Sequence, residues 1–403
     1  MPPTILFFDH TAKLGGGEIA LLNVVRAIDR GRFSPIVVLG SDGMLRERLV
    51  ESGIETHLLP MARSIAETRK DTLGLRSVLR VADITRLMFY SVTLAKFVRR
   101  SGASVVHTNS LKADLIGGVA ARLARVPVVW HIRDRIADDY LPPMVAAFFR
   151  FLCRIIPNAV IANSNATLIS LSLPPQRRGK KTPTGTVIYS GTVIYDGVNF
   201  DGDGDGLRLR GATPFSPRIG LVGRLAPWKG QHVFIRAAAE VLKRHPDCRF
   251  QIIGAALFGE EAYEQELHDL ISSLGLERQV EFTGFRSDVA DLMRQLDVVV
   301  HASTVGEPFG QVVIEAMATS KPVIATNGGG IPEIVVDGVT GILVSMGDAA
   351  EMASAIVRLV ENPEEGRKMG NAGKVWVEKC FTIERTVRQM EGVFAGLLDA
   401  RSL

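Results

Sequence analysis

The stretch RIGLVGRLAPWKGQHVFIRAAAEVLKRH, residues 218–245, opens with a short apolar run, passes through a turn holding Gly and Pro, and continues at helical spacing. Read as strand, turn and helix, it is the start of a βαβ unit. RFQIIG, EEAYEQELHDLISSLG, VEFTGF, SDVADLMRQL, DVVVHAS, QVVIEAMATS, PVIAT and GILVS continue the alternation downstream. Upstream the same rhythm runs through ILFFD, a helix from about Glu18, PIVVLG, MLRERLVESG, ETHLLP, SVVHTN, LKADLIGGVAARLA, PVVWHI and NAVIAN. Two alternating series predict an α/β protein of two doubly wound parallel-sheet, Rossmann-like domains. Their strand carboxyl ends would face a central cleft, where open α/β sheets bind ligands.

The break between the series sets the expected boundaries: a first domain over residues 1–196, a linker over 197–216, a second domain over 217–380 and a C-terminal helix over 381–403. The last segment, with IERTVRQMEGVFAGLL, is amphipathic and is expected to pack back on the first domain. The linker is rich in Gly and Asp without apolar period. Its DGDGDG has the D-x-D spacing of some metal sites, but no apolar strand directly precedes it, so it reads as a flexible turn. GTVIY occurs at Gly185 and again at Gly191, a local duplication or hairpin to which no function is attached.

At 403 residues, 46% of them hydrophobic, the chain can bury two cores. Three scattered cysteines, Cys153, Cys248 and Cys380, form no metal-ligand spacing and argue against a disulfide framework. With no leader-like N-terminus, the expected location is the cytoplasm, peripheral at the inner face of a membrane where a basic surface allows. The net charge is only +4, yet no Asp or Glu occurs from Tyr140 to Tyr195, a segment carrying Arg150, Arg154, Arg177, Arg178, Lys180 and Lys181. That excess points to an anionic partner, a phospholipid surface or a phosphorylated substrate, as readily as to a solvated basic loop. RSVLRVADITRLMFYSVTLAKFVRR and LPPMVAAFFRFLCRII add apolar stretches rimmed by cations, including Arg76, Arg80, Lys96, Arg99 and Arg100. They read equally as membrane-facing surfaces or as core helices.

Several turns carry candidate chemistry. LGGGE, Leu14 to Glu18, lies between the first strand and helix, where Gly16 and Gly17 would let backbone N–H groups approach an anion; a tight turn alone needs the same glycines. Arg224 and Lys229 flank the turn after RIGLVG, and two cations before a helix suit a diphosphate. GEPFGQVVIE places Glu307 in a loop and Glu315 more than a turn into the next helix, too far apart in register for a paired acid and base. Carboxylates accept from vicinal hydroxyls, so the two would touch different parts of one extended ligand. The triple glycine Gly328 to Gly330 makes a further strand-to-helix turn.

Taken in order, GGGE, HIRD, NSNAT, YDGVN, GRLAPWKG, FTGF and EPFGQVVIE as an E-x7-E motif resemble the retaining glycosyltransferases of family 4, of GT-B architecture. The resemblance spans nearly the whole chain and implies a nucleotide-sugar donor. By it, Arg224 and Lys229 would bind the donor diphosphate, Glu315 the ribose and Glu307 the transferred sugar's hydroxyls, with Phe309, Gly310 and Gln311 completing the donor loop. His131, at the end of PVVWH, would serve the donor sugar and acceptor; a buried histidine satisfied by backbone is the alternative. The acceptor would be a glycan or lipid-linked sugar, and neither metal, cofactor nor nucleic acid is implied. IIGAALFGEE departs from the family's glycine-rich turn, so contacts near Gly254 do not carry over. The rival readings are a GT-B-like epimerase or phosphorylase, or a binding protein without turnover.

Overall fold

The computed structural model describes residues 2–62, 81–137, 141–173, 191–199, 216–257 and 259–402. The expected linker falls largely outside the described residues, as do DGDGDG, the first GTVIY copy, Arg76, Arg80 and the basic run 177–181. The chain forms two compact units, Met1–Gly197 with Ile383–Leu403, and Val198–Thr382.

In the first unit β1 (Thr4–Asp9), β2 (Ser34–Leu39), β3 (Glu55–Leu58), β4 (Val105–Thr108), β5 (Val128–Ile132), β6 (Ala159–Ala162) and β7 (Thr192–Val193) make one parallel sheet in the order β3-β2-β1-β4-β5-β6-β7. Alternate side chains of β1 feed separate cores. Leu6 and Phe8 pack with Leu94, Val98 and Ile116, whereas Ile5 and Phe7 pack with Leu21, Val25 and Phe394. A strand buried on both faces has no polar side, which is why TILFF lacks the alternation of a half-exposed strand.

The C-terminal helix, Ile383–Ser402, belongs to this unit. Ile383, Val387, Met390, Phe394 and Leu397 enter the core that holds Phe7. The Phe394 ring meets Phe7 at 6.1 Å, Phe33 at 5.9 Å and His107 at 5.9 Å, each edge-on. Polar ties reinforce the seat: buried Glu391 accepts from the Asp29 N–H at 2.9 Å and from Arg32 at 2.7 Å, and the Thr386 hydroxyl donates to the Tyr195 carbonyl at 2.7 Å.

The second unit has six parallel strands, β8 (Arg218–Val222), β9 (Arg249–Ile253), β10 (Val280–Gly284), β11 (Val298–His301), β12 (Val323–Thr326) and β13 (Ile342–Val344), ordered β10-β9-β8-β11-β12-β13. In each sheet the chain reverses its direction of travel beside the first strand, between β1 and β4 and between β8 and β11. Such reversal points, at the carboxyl ends of the strands, are where open α/β sheets bind ligands. Arg224, Lys229 and Glu307 stand on loops leaving β8 and β11, whereas His131 lies in β5 and Glu315 in the helix Gln311–Ala318.

Phe394→Ala is expected to destabilise the first unit by about 3–5 kcal/mol, the range for emptying a buried aromatic site. Hydrogen-exchange mass spectrometry should show β1 and β4 losing protection while β8 and β11 keep theirs. Unchanged exchange in β1 would separate the helix from that core.

Candidate functional site

In the second unit the geometry is set by backbone crowding after β8. The chain passes Gly223, makes a single turn over Pro227–Lys229 and reaches Gly230, whose φ of +73° precedes the helix Gln231–Leu242. A Cβ at residue 230 would stand 1.9 Å from the Ala302 carbonyl oxygen, so only glycine lets this turn lie against the loop after β11. The Thr304 N–H donates to the Trp228 carbonyl at 2.8 Å and holds the two loops together. Beneath them, fully buried Gln231 donates to the Arg224 carbonyl at 2.8 Å.

That packing brings Lys229 Nζ to 2.8 Å from Glu307 Oε2. The same oxygen accepts from the Ser303 hydroxyl at 2.9 Å and lies 3.3 Å from His301 Nε2, while Thr326 Oγ1 lies 3.2 Å from His301 Nδ1. The third strand-end loop closes on this cluster through Gly329, at φ +63°, where a Cβ would be 1.9 Å from the Glu307 carbonyl oxygen; the Gly330 N–H donates to that oxygen at 2.8 Å. Burial would push the Glu307 carboxyl up, but Lys229 and His301 outweigh it and hold it well below the usual carboxylate range. Glu307 is therefore an ionised, positioned acceptor.

Arg224 pairs with a different carboxylate, Glu260, at 2.9 Å. Its guanidinium lies 5.7 Å from the Trp228 ring centroid and Lys229 Nζ lies 4.3 Å from it, so both cations attend one aromatic ring.

Glu315 sits in another electrostatic setting. On the helix Gln311–Ala318 it accepts from Gln311 Nε2 at 3.1 Å. Burial dominates and raises its carboxyl to about 7. The two carboxylates of the E-x7-E stretch thus differ in charge state at neutral pH. Phe309 is 2% exposed with its ring 6.0 Å from Phe381, so its side chain is a core element and only its backbone is left for a ligand. Gly310 has φ +119°, and a Cβ there would meet Ile331 Cδ1 at 2.5 Å.

In the first unit the helix begins at Gly16 rather than near Glu18, because Glu18 reaches back to accept from the Gly15 N–H at 3.0 Å. The cap of the glycine turn is thus filled by the chain's own carboxylate, which burial and Asp9 raise to about 8. A Cβ on Gly16 would meet nothing within 4 Å, and one on Gly17 would lie 3.4 Å from Arg133 Cδ.

His131 has no solvent exposure, and its ring stands edge-on to His107 at 5.3 Å. Its Nδ1 lies 3.4 Å from Arg133 Nη2, and among the described residues its buried Nε2 has no hydrogen-bond partner. Burial, with Arg133 and His107 adding to it, holds the imidazole neutral. The expected alternative, a histidine satisfied by backbone, is not what the structure contains.

The sequence reading passed over Glu260, His301, Ser303, Asn109, Arg133 and Asp196 as individual residues. HIRD, YDGVN and DVVVHAS held four of them, and their signal was position: each follows or ends an apolar strand run. Among the described residues no cluster of His, Cys, Asp or Glu is arranged to hold a metal ion.

Residues 15–173 match the family described as glycosyl transferase 4-like domain, and residues 214–376 match glycosyl transferases group 1. The chain belongs to the GT4-type glycosyltransferases. The putative glycosyltransferase EpsD of Bacillus subtilis is 36% identical over 171 residues, 42% of this chain and 43% of that protein. D-inositol 3-phosphate glycosyltransferase of Corynebacterium efficiens is 27% identical over 332 residues, 77% of this chain and 76% of its own length. With EpsD the match spans less than half of the relative's length. Among solved structures, Anabaena Alr3699/HepE in complex with UDP and glucose superposes with a TM-score of 0.80 at 28% identity, covering 97% of this chain and 99% of that one. The two parallel-sheet units of this GT4-type chain have the GT-B architecture.

The raised Glu315 carboxyl has a consequence for stability. The folded state holds its proton more tightly than the unfolded chain, whose carboxyl titrates near 4.5. The contribution is therefore complete below about pH 4.5 and is lost as pH rises through about 7. Glu315→Gln removes the titration, so its melting temperature should gain on the wild type between pH 5 and about pH 8. A constant difference across that range would place Glu315 in water.

Proposed function

We propose that the chain is a retaining glycosyltransferase that moves a sugar from a nucleoside-diphosphate donor to a hydroxyl acceptor. The observation carrying this reading is the Lys229–Glu307 pair at 2.8 Å, because it sets a cation beside a hydroxyl acceptor, as the junction between a diphosphate and its sugar demands. Arg224 and Lys229 serve the diphosphate, Glu307 the sugar hydroxyls, Glu315 the ribose diol, and the N–H groups of Gly310 and Gln311 the phosphates. His131 is proposed to bond a sugar oxygen. HepE has also been solved with UDP-glucose, which makes a UDP-sugar the first donor to try.

In the proposed reaction the bond between the anomeric carbon and the diphosphate oxygen breaks while the acceptor oxygen bonds to the same face. The acceptor's proton passes to the departing diphosphate oxygen. No side-chain nucleophile is used, and the two cations stabilise the charge gathering on the leaving group. A divalent ion is not needed for that task, so turnover should persist in EDTA. Arg224→Ala and Lys229→Ala should each raise the barrier by about 3 kcal/mol, with Lys229→Ala also lowering stability because it leaves buried Glu307 without its cation. The assay screens UDP-, GDP-, ADP- and TDP-sugars with and without glycan acceptors, reading the anomeric configuration by NMR. Inversion of configuration, turnover without acceptor, or sugar phosphate released by inorganic phosphate would each replace this reading.

We further propose that the acceptor is lipid-linked and that the first unit docks on an anionic leaflet. Met144, Phe148, Phe151 and Ile155 are exposed at helical spacing on and just beyond the helix Pro143–Leu152, with Phe148 60% exposed. On the helix Val81–Arg100, Phe89 is 74% exposed beside exposed Met88 and Val92. Arg150 and Arg154 brace the loop beyond through carbonyls of Ser170 and Ser172 yet keep their charge. Each cation near such a surface contributes about 1 kcal/mol. Among the described residues no helix is long and apolar enough to cross a membrane, so docking would be reversible. Flotation should recover the protein with anionic but not neutral vesicles, less so at high salt and less so for Phe148→Asp. Failure to float with either would favour an acceptor free in water.

A further inference from the structure

The buried polar groups at the strand ends of the first unit form one connected chain. Asp9 ends β1, Asn109 follows β4, His131 and Arg133 lie at the end of β5, and Asp196 follows β7. Asn109 Nδ2 donates to Asp9 Oδ2 at 2.8 Å and to the Gly17 carbonyl at 3.0 Å. Both donations come from the amide nitrogen, so its oxygen is turned to Arg133, whose Nε donates to it at 3.0 Å. Arg133 Nη1 pairs with buried Asp196, and Nη2 reaches His131 Nδ1 at 3.4 Å. The guanidinium is thereby held on three sides, with 7% of its side chain exposed.

We infer that Arg133 is a positioning residue that fixes the tautomer of His131, making it a neutral imidazole with its proton on Nε2. A guanidinium has donors only and is not deprotonated in proteins, so the ring nitrogen facing it must offer a lone pair. The single proton of the neutral ring then lies on Nε2, the atom that is buried with no partner. A desolvated N–H without an acceptor costs about 1–3 kcal/mol, a cost a fold keeps where a ligand oxygen later accepts the bond. His131 would then act as a hydrogen-bond donor to a sugar oxygen and not as a general base. Among the described residues the groups that act electrostatically on it are Arg133 and His107, and His107 is likewise neutral through burial, its value down to about 3. The same chain of bonds ties the His131 tautomer to Gly17, so the glycine turn and the histidine are set by one network.

The ligand side of this inference rests on the glycosyltransferase reading; the tautomer does not. Long-range proton–nitrogen NMR on the whole chain with 15N-histidine, assigned with His131→Gln, should show one protonated nitrogen, Nε2, unchanged between about pH 5 and 8 where an ordinary histidine titrates. A proton on Nδ1, or titration of His131 in that range, overturns the inference whatever the enzyme does. Arg133→Met, which keeps length and removes the donors, should shift the ring to a mixture of tautomers and lower kcat at least 10-fold with donor KM changed less. Arg133→Lys, which keeps the charge but gathers its donors on one nitrogen, should recover part of both signals. Wild-type kcat in Arg133→Met would limit Arg133 to a structural role and sink its positioning function. If no sugar donor turns over, the NMR result still decides the tautomer, so the two failures stay distinct.

Discussion

A carboxylate withdrawn from water stays ionised only where cations and donors replace the lost hydration. Glu307 meets that condition, and the second unit is arranged around doing so. Lys229 comes from the loop after β8, Ser303 and His301 from β11 and its exit, and Thr326 from the end of β12. Those loops could not converge if Gly230 or Gly329 carried a side chain, since each would collide with a carbonyl oxygen at 1.9 Å. Backbone close approach, made possible by glycine, thus precedes the electrostatics: it sets the distance at which Lys229 and Glu307 meet.

The first unit solves a related problem with a different balance. Buried Asp9 is held down by His10, Asn109 and Ser110 against the upward push of burial. Arg133 and Asp196 neutralise each other, and the Asn109 amide links Asp9 to Arg133. Such a network is costly when half satisfied and rigid when complete. Among the described residues, His131 Nε2 at its end has no hydrogen-bond partner, nor do the ring nitrogens of the adjacent His107. In the second unit, by contrast, the pairs Arg224–Glu260 and Lys229–Glu307 are accessible at their edges, with 29% of the Arg224 side chain and 17% of the Lys229 side chain exposed. One unit presents a fixed donor and the other presents exchangeable charge.

The fold was legible because a parallel strand buried on both faces must be apolar throughout and must be followed by a helix. VVVH, VIAT and FFD could not be confused with amphipathic segments. The charged candidates were legible for a related reason: Arg224, Lys229 and Glu307 follow such runs, and strand exits are where open sheets place ligands. What the sequence concealed was pairing. Nothing in the order of residues says that Glu260 takes Arg224, or that Ser303 and His301 share one oxygen of Glu307, because each bond joins loops far apart along the chain. Phe309 shows the opposite failure. The family resemblance placed Phe309 in the donor loop, yet packing against Phe381 buries its side chain. Gly16 and Gly17 read as an anion cradle, but the carboxylate nearest to them is the chain's own Glu18.

The different charge states of Glu307 and Glu315 have a meaning for the proposed donor. Glu307 is ionised before any ligand arrives, and its charge is already committed to Lys229, so a sugar hydroxyl that bonds to it adds to an existing pair and strands no charge. Glu315, near half protonation at neutral pH, has only Gln311 beside it. A ribose diol donating two hydrogen bonds would favour its ionised form and draw the proton away. Nucleotide capture would therefore carry a proton cost at the ribose end that sugar recognition does not. On the proposed reading, a diphosphate would also compete with Glu260 and Glu307 for the two cations, so its binding would have to displace both pairs.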